Sequence, residues 1–204
     1  LFLIIFLMVH LTINLLLIFD SSRELFNVAA HFMATNPLIK VMEFTLFGGF
    51  IIHIIFGIIL QIKNWLSRPK RYKVEGWSHT SVFSKFMIHT GIVIFIFLII
   101  HLLDFYFKLK FGEVPTMVID GHAYPDMGLL VIEKFSNTTF VIIYIVALII
   151  LGFHLHHAFQ SAFQSLGLNH TTYTPVIKAI STIYAIVIAL GFIFIPLYIY
   201  FCKI

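Results

Sequence analysis

Charge is what this sequence has least of. Only 11% of its 204 residues are Asp, Glu, Lys or Arg, whereas soluble domains carry about 25%. A soluble domain of this size could not cover its surface with so few charges, so that class of protein is excluded. The net charge of +4 does not indicate nucleic-acid binding, because no basic face could lie outside the membrane except the one loop between the second and third apolar segments.

Two other scarcities exclude several kinds of site. Cys202 is the only cysteine, which excludes a disulfide within the chain, a Cys-x-x-Cys metal clip and covalent c-type haem, which needs Cys-x-x-Cys-His. Carboxylates are missing from the interiors of the apolar segments, since Glu43 and Asp104 lie near segment ends. A di-iron site needs several Glu on facing helices, so that site is excluded as well.

Apolar residues, by contrast, make up 60% of the chain, and 24 residues are Phe. A run of about 20 apolar residues crosses the hydrocarbon layer as a helix. Because the sequence begins with Leu1 inside such a run, we expect further residues upstream of it. The pattern predicts one all-α integral membrane domain over residues 1–204, a bundle of five transmembrane helices at about residues 1–19, 41–63, 85–107, 137–163 and 176–201.

The Lys and Arg distribution predicts the orientation of this bundle. The segments at residues 20–40 and 108–136 have mixed charge and are interpreted as loops. The segment between the second and third helices has Glu75 as its only acid, against six cations: Lys63, Arg68, Lys70, Arg71, Lys73 and Lys85. The positive-inside rule places this segment in the cytoplasm, so we expect the N-terminus inside and the C-terminus outside.

Histidines are the informative residues within the apolar segments. Ionisable groups at membrane depth are costly and usually face the bundle interior for a function, although a single histidine is more often a hydrogen-bonded contact between helices. Here four successive helices each carry at least one: His10, then His53, then His89 and His101, then His154, His156 and His157. We interpret them as cofactor ligands. Haem takes one histidine on each face, so they fit two bis-histidine b haems, whereas an all-histidine zinc site would use three or four at one level.

The neighbourhood and depth of these histidines support this interpretation. Gly49 and Gly57 lie one turn before and after His53, on the same face; they could admit a macrocycle, or they could form a helix-packing stripe. His101 lies roughly 25 Å from the cytoplasmic start of its helix, and His157 roughly 30 Å from the opposite start of its own. Those two residues cannot bind the same haem. Depth alone leaves the partners of His10 and His53 open.

Three stretches carry a resemblance that covers essentially the whole chain. They are IHIIFGIILQIKNWLSRPKRY in the second helix, FMIHTGIVIFIFLIIHLLDF in the third, and GFHLHHAFQSAFQSLGLNH followed by TYTPVIK in and after the fourth. Together they resemble the two-haem cytochrome b subunit of succinate dehydrogenase and fumarate reductase, in its bacterial single-anchor form. The stretch in the fourth helix is the most specific.

The resemblance implies four axial ligands, one in each of the first four helices: His10, His53, His101 and His157, with His154 as second choice in the fourth. It implies that the first and third helices hold one haem near the outer face, and the second and fourth hold the other near the cytoplasm. Two positions depart from the family. Ala158 follows His157 where Gly is usual, and Leu155 stands where some members have a Glu linked to transmembrane proton transfer.

The function implied is electron transfer in the bacterial cytoplasmic membrane. An iron–sulfur subunit, carrying a flavoprotein subunit, would dock on the cytoplasmic side, and electrons would pass through two b haems to or from a membrane quinone such as menaquinone. Two other interpretations stay open. One is a haem b anchor of a hydrogenase or a formate dehydrogenase, and the other is a haem-free proton or cation transporter with a histidine relay.

Further candidate residues lie around the expected haems. Arg68 and Lys85 could pair with haem propionates or the docked subunit, although positive-inside topology alone would also place them there. Gln160 could bond a propionate or pack between helices, and Asp104 could orient a ligand. Glu43 is the candidate for quinone-linked proton transfer, and its alternative role is a solvated carboxylate favoured by the helix dipole.

Overall fold

A computed structural model describes residues 1–66, 86–168 and 170–202 of this chain. The described chain is mostly helical, and five of its helical spans are long and apolar enough to cross a membrane. We number them one to five in chain order: Phe2–Phe19, Pro37–Leu66, Met87–Phe111, Thr138–Ser165 and Tyr173–Cys202. The prediction of an all-α membrane bundle with five spanning helices is thereby confirmed.

The spans are joined by smaller elements that the sequence analysis treated as loops. Span three is itself composite, because a π-helical turn separates two α-helical parts. In chain order the elements are α1 (Phe2–Phe19), α2 (Glu24–Thr35), α3 (Pro37–Leu66), α4 (Met87–His101), the π turn (Leu102–Tyr106), α5 (Phe107–Phe111), β1 (Thr116–Ile119), β2 (His122–Pro125), α6 (Met127–Phe135), α7 (Thr138–Ser165) and α8 (Tyr173–Cys202).

Asparagine caps fix where two of the spans begin. The Asn36 side-chain oxygen accepts a hydrogen bond of 2.9 Å from the amide of Leu38, and Pro37 occupies the first helical position, where no amide proton is needed. Span two therefore begins four residues before the predicted boundary at residue 41, which had been drawn from hydropathy alone. Asn137 caps span four in the same way through the amide of Thr139, at 2.9 Å.

One end of the bundle carries a small folded cap formed by α2, the hairpin β1–β2 and α6. The strands pair antiparallel, from Thr116 opposite Pro125 to Ile119 opposite His122. Asp120 and Gly121 connect them with φ values of 50° and 78°, as two-residue hairpin turns with positive φ require. We refer to this side of the bundle as the cap end.

The carboxylate of Asp126 holds the cap together. It accepts hydrogen bonds from Arg23 Nε at 3.2 Å and Nη2 at 3.0 Å, from Asn27 Nδ2 at 2.8 Å and from the Leu129 amide at 2.9 Å. Asn27 has no exposed surface, and its own Oδ1 accepts from the amide of Gly128 at 2.9 Å. A side chain at Gly128 would meet Arg23 at 3.0 Å, so glycine permits this close approach.

Spans one, four and five form the tightest part of the bundle. Gly152 of span four faces Ala189 of span five so closely that a Cβ on the glycine would lie 2.9 Å from the alanine methyl. Small residues allow such close approach between membrane helices. The Tyr184 hydroxyl of span five donates to the carbonyl of Ile4 in span one at 2.7 Å. Within the described ranges, spans two and three contain no buried residue, so they lie at the periphery.

The cap network predicts a stability change at Asn27. Asn27→Ala should destabilise the protein by about 1–3 kcal/mol, because it leaves the Gly128 amide and the Asp126 carboxylate with fewer buried partners. Thermal unfolding in detergent, followed by circular dichroism, measures this change. Thr35→Ala on the same helix is the control, since that exposed hydroxyl bonds only the carbonyl of His31. Equal unfolding midpoints for the two variants would refute the role of Asn27.

The same network predicts acid sensitivity. Burial alone would raise the pKa of Asp126, but hydrogen bonds from Arg23, Asn27 and Leu129 outweigh burial and hold that pKa below its usual 3.8. A carboxyl with a lowered folded pKa stabilises the fold above the unfolded pKa and loses this contribution as the pH falls. We expect the midpoint difference between wild type and Asp126→Asn to be constant near neutral pH and to shrink below about pH 4. A difference independent of pH would contradict this.

Candidate cofactor site

His10 of span one and His101 of span three face each other inside the bundle. His10 lies nine residues before Phe19 and His101 ten residues before Phe111, so both are about 14–15 Å from the cap end of their spans. Their ring centroids are 5.8 Å apart, and the ring planes are at 89°. We call them the upper pair.

Aromatic side chains surround the upper pair. Phe6 and Phe192 lie 5.3 and 5.6 Å from the His10 ring, and Tyr144 lies 6.2 Å from the His101 ring. The Nδ1 atom of His101 is buried and has no hydrogen-bond partner among the described residues. Buried polar atoms nearly always have a partner, so this nitrogen indicates a group that the described chain does not supply.

The π turn of span three begins directly after His101. Such turns insert an extra residue into a helix and are frequent at functional sites. This turn contains Asp104, whose carboxylate lies 2.6 Å from Lys134 Nζ and accepts from the Tyr144 hydroxyl at 3.3 Å. The cap, which contributes Lys134, is thereby connected to a carboxylate one helical turn from His101.

The same π turn reaches Glu43 of span two through Tyr106. The Tyr106 hydroxyl donates to Glu43 Oε1, and Lys110 Nζ lies 3.5 Å from Glu43 Oε2. The sequence predicts Glu43 near a helix start at residue 41, but the residue lies six positions inside α3 because that helix begins at Pro37. It joins spans two and three near the cap end.

His53 of span two faces His154 of span four. Each lies sixteen residues from the cap-end start of its helix, Pro37 or Thr138, and thus about 24 Å from that end. The ring centroids are 6.3 Å apart and the planes are at 81°. We call these residues the lower pair. The first choice from sequence was His157, three residues further on, whereas the ring opposite His53 is that of the second choice, His154.

Span three also contacts the lower pair through a hydroxyl. Thr90 Oγ1 lies 3.1 Å from His154 Nδ1 and donates to the carbonyl of Met87 at 3.0 Å. A Cβ on Gly91 would lie 3.7 Å from Cε1 of His154, so the imidazole edge lies close to the backbone of span three.

The remaining candidates are placed differently. Gln160 Nε2 lies 3.1 Å from His156 Nε2, which lies 3.1 Å from Thr182 Oγ1 of span five, so Gln160 belongs to that contact. A Cβ on Gly57 would meet no described atom within 4 Å, and one on Gly49 would make ordinary contacts at 3.9 Å. Neither glycine is therefore required by packing between described residues. Arg68 and Lys85 lie outside the described residues.

Each pair offers two histidine nitrogens, an arrangement that would fit a metal whose other ligands come from a bound cofactor. Within residues 1–66, 86–168 and 170–202, no three His, Cys, Asp or Glu side chains gather as a metal cage. A metal–imidazole bond is about 2 Å and the ring centre lies roughly 1 Å further, so two imidazoles on opposite sides of one metal would have centres about 6 Å apart. Both pairs have this spacing, which also suits an edge-to-face contact between rings.

Several residues of this site were not found from the sequence. A hydroxyl inside an apolar span is a usable signal, and Thr90 was noted only as part of a motif. Tyr106 and Lys110 share a helix face by their four-residue spacing, which could have suggested a polar contact. Lys134 had no such signal, since its partner Asp104 is on a different element.

The fold and these residues define a class, a multi-pass helical membrane protein with two pairs of facing histidines between its spans, of which His53 is itself exposed on span two. Comparisons with protein-family models, curated proteins and solved structures found no match to this chain.

Proposed function

We propose that this chain is the membrane-anchor cytochrome b subunit of a bacterial succinate:quinone oxidoreductase. It would carry electrons between an iron–sulfur subunit and a membrane quinone through two b haems. The observation that carries the haem assignment is the pairing of four histidines at two depths, with ring centroids 5.8 and 6.3 Å apart. The assignment to this enzyme, its soluble subunits and the cytoplasmic membrane is supported by the sequence resemblance.

The lower pair consists of His53 with His154 in this proposal. Equal depth and facing rings favour His154 over His157 as the ligand from span four. His10 and His101 would hold the second haem. Bound haem supplies one-electron redox chemistry at iron. The chain itself would provide the histidine nitrogens and keep the two pairs about 10 Å apart along the bundle, and the aromatic side chains around the upper pair would help to exclude water there.

Quinone chemistry also moves protons, since reduction to quinol takes up two electrons and two protons and oxidation releases them. Glu43 is suited to exchange one of these protons with water, because its carboxylate lies near the cap end, about 9 Å along α3 from Pro37. Tyr106 and Lys110 bind the carboxylate and would hold it toward the upper pair. The expected orientation places this end of the bundle at the outer face.

Pigment content tests the haem assignment. The purified chain should contain two b haems that acidified organic solvent extracts completely, since no Cys-x-x-Cys-His is present to form thioether links. His53→Ala and His154→Ala should each remove the same haem, and His10→Ala and His101→Ala the other. Pyridine haemochrome spectra and redox titration measure the number and identity of the haems that remain.

His157→Ala is the matched control, three residues from His154 on the same helix, and should keep both haems. Loss of a haem from His157→Ala with both retained in His154→Ala would show that the wrong histidine was chosen. A colourless protein would favour the histidine-relay transporter. Copurification of a hydrogenase or formate dehydrogenase subunit, in place of a flavoprotein and an iron–sulfur subunit, would favour the other haem b anchors.

Glu43→Gln tests the quinone role. An amide of the same size cannot accept and release the proton, so quinone-linked turnover of the complex should fall by about 10-fold or more. Haem content, and turnover of the soluble subunits with an artificial dye, should not change. Glu133→Gln, an exposed carboxylate on α6, is the control. Unchanged quinone turnover with normal haem content would exclude Glu43 and direct attention to Asp104.

A further inference from the structure

Two histidines of span four bind threonine hydroxyls on opposite neighbours. His154 contacts Thr90 of span three and His156 contacts Thr182 of span five, each with a nitrogen–oxygen distance of 3.1 Å. The contacting nitrogen differs, because it is Nδ1 in His154 and Nε2 in His156. This difference determines which ring nitrogen carries the proton.

The hydroxyl of Thr90 has only one proton, and the structure directs it to the Met87 carbonyl at 3.0 Å. A threonine oxygen with its proton used can only accept further hydrogen bonds. The Nδ1 atom of His154 must then be the donor. A neutral imidazole protonated on Nδ1 has its lone pair on Nε2, so Nε2 of His154 is the nitrogen that can bind a metal.

The same reasoning gives the opposite result for His156. Thr182 donates its proton to the carbonyl of Lys178 at 2.8 Å, so Nε2 of His156 donates to Thr182. Gln160 lies 3.1 Å from the same nitrogen, and with a proton on Nε2 its amide would have to present its oxygen there, because two N–H groups cannot bond each other. In this arrangement Nε2 of His156 carries the proton, and the ring connects span four to span five.

We propose that Thr90 is a positioning residue that holds His154 as the Nδ1–H tautomer and thereby selects it as the span-four ligand of the lower haem. The inference rests on the proposed function and deepens it. Metal-binding histidines usually donate their other N–H to a neighbouring group, which fixes the ring and raises the basicity of the ligating nitrogen. Thr90 is such a group, supplied by a third helix.

A more basic axial nitrogen stabilises oxidised iron more than reduced iron. Removal of the Thr90 hydroxyl should therefore raise the midpoint potential of one haem and leave the other unchanged. Replacement of groups that support metal ligands typically weakens metal binding 10–100-fold. The affected haem should accordingly transfer to apomyoglobin about 10-fold faster or more.

The experiment uses the full chain with its copurifying subunits and compares Thr90→Val, Thr90→Ser and Thr182→Val. Redox titration and haem transfer are measured on each variant. In Thr90→Val we expect the upward shift and the faster loss for the haem that His53→Ala removes. Thr90→Ser keeps the hydroxyl and should behave like wild type. Thr182→Val removes the equivalent bond from His156 and should leave both potentials unchanged.

The proposal is overturned if Thr90→Val has wild-type potentials and haem retention, or if Thr182→Val shifts the same haem equally. If Thr90→Val does not assemble, Thr90→Ala replaces it, and similar behaviour of the Ser and Ala variants overturns the proposal. A wild-type preparation without b haem would overturn the proposed function itself. Two haems in wild type that do not respond to Thr90→Val would overturn only the role of Thr90.

Discussion

The hydrocarbon interior of a membrane offers no hydrogen-bond partner to a polar group, and the arrangement of this chain follows from that constraint. Hydroxyls within the spans bond carbonyls of their own helix, as Thr12 does to Met8 at 2.9 Å and Thr45 to Val41 at 3.0 Å. An imidazole cannot be satisfied in this way on both nitrogens. The histidines therefore need partners from neighbouring helices or from a bound group, which is why they face one another.

Hydropathy was enough to predict the five spans, because each is a local property of about twenty consecutive residues. The cap was not predicted, since its stability comes from contacts that are distant in sequence, such as Asn27 with Asp126, 99 positions apart. Two local signals were nevertheless present. Asp120–Gly121 is a typical hairpin turn, and the Asp20 side chain accepts from the amide of Leu25 in the first turn of α2.

The histidine pairs could be predicted only in part from the sequence. His154 and His157 are three residues apart and lie near the same helix face, so spacing could not rank them. His53 and His154 have equal depth when residues are counted from the helix starts in the structure. Hydropathy predicts such starts only to within several residues. The asparagine caps at Asn36 and Asn137 mark them more sharply. Thr90, the proposed positioning residue of His154, is 64 positions from it, so the contact between them is visible only in the fold.

The direction of each imidazole depends on how its helix is rotated, and the two helices of the lower pair are fixed by different means. Span four is held against span five by the close Gly152–Ala189 contact and by the hydrogen bond between His156 and Thr182. Residues two apart on a helix point in nearly opposite directions. A ring of span four that is bound to span five therefore leaves the ring two residues earlier directed at span three.

Span two has no buried residue to fix its rotation. Near the cap end, its polar connection to span three is Glu43, bound by Tyr106 and Lys110. Ten residues separate Glu43 from His53, nearly three helical turns, so their directions differ by about 80° around the helix axis. The contact of Glu43 with span three thus also limits the rotation of span two and, with it, the direction of His53. Spans two and three are loosely packed, so polar contacts fix how these helices are rotated. Between spans four and five, close packing of small residues contributes to the same result.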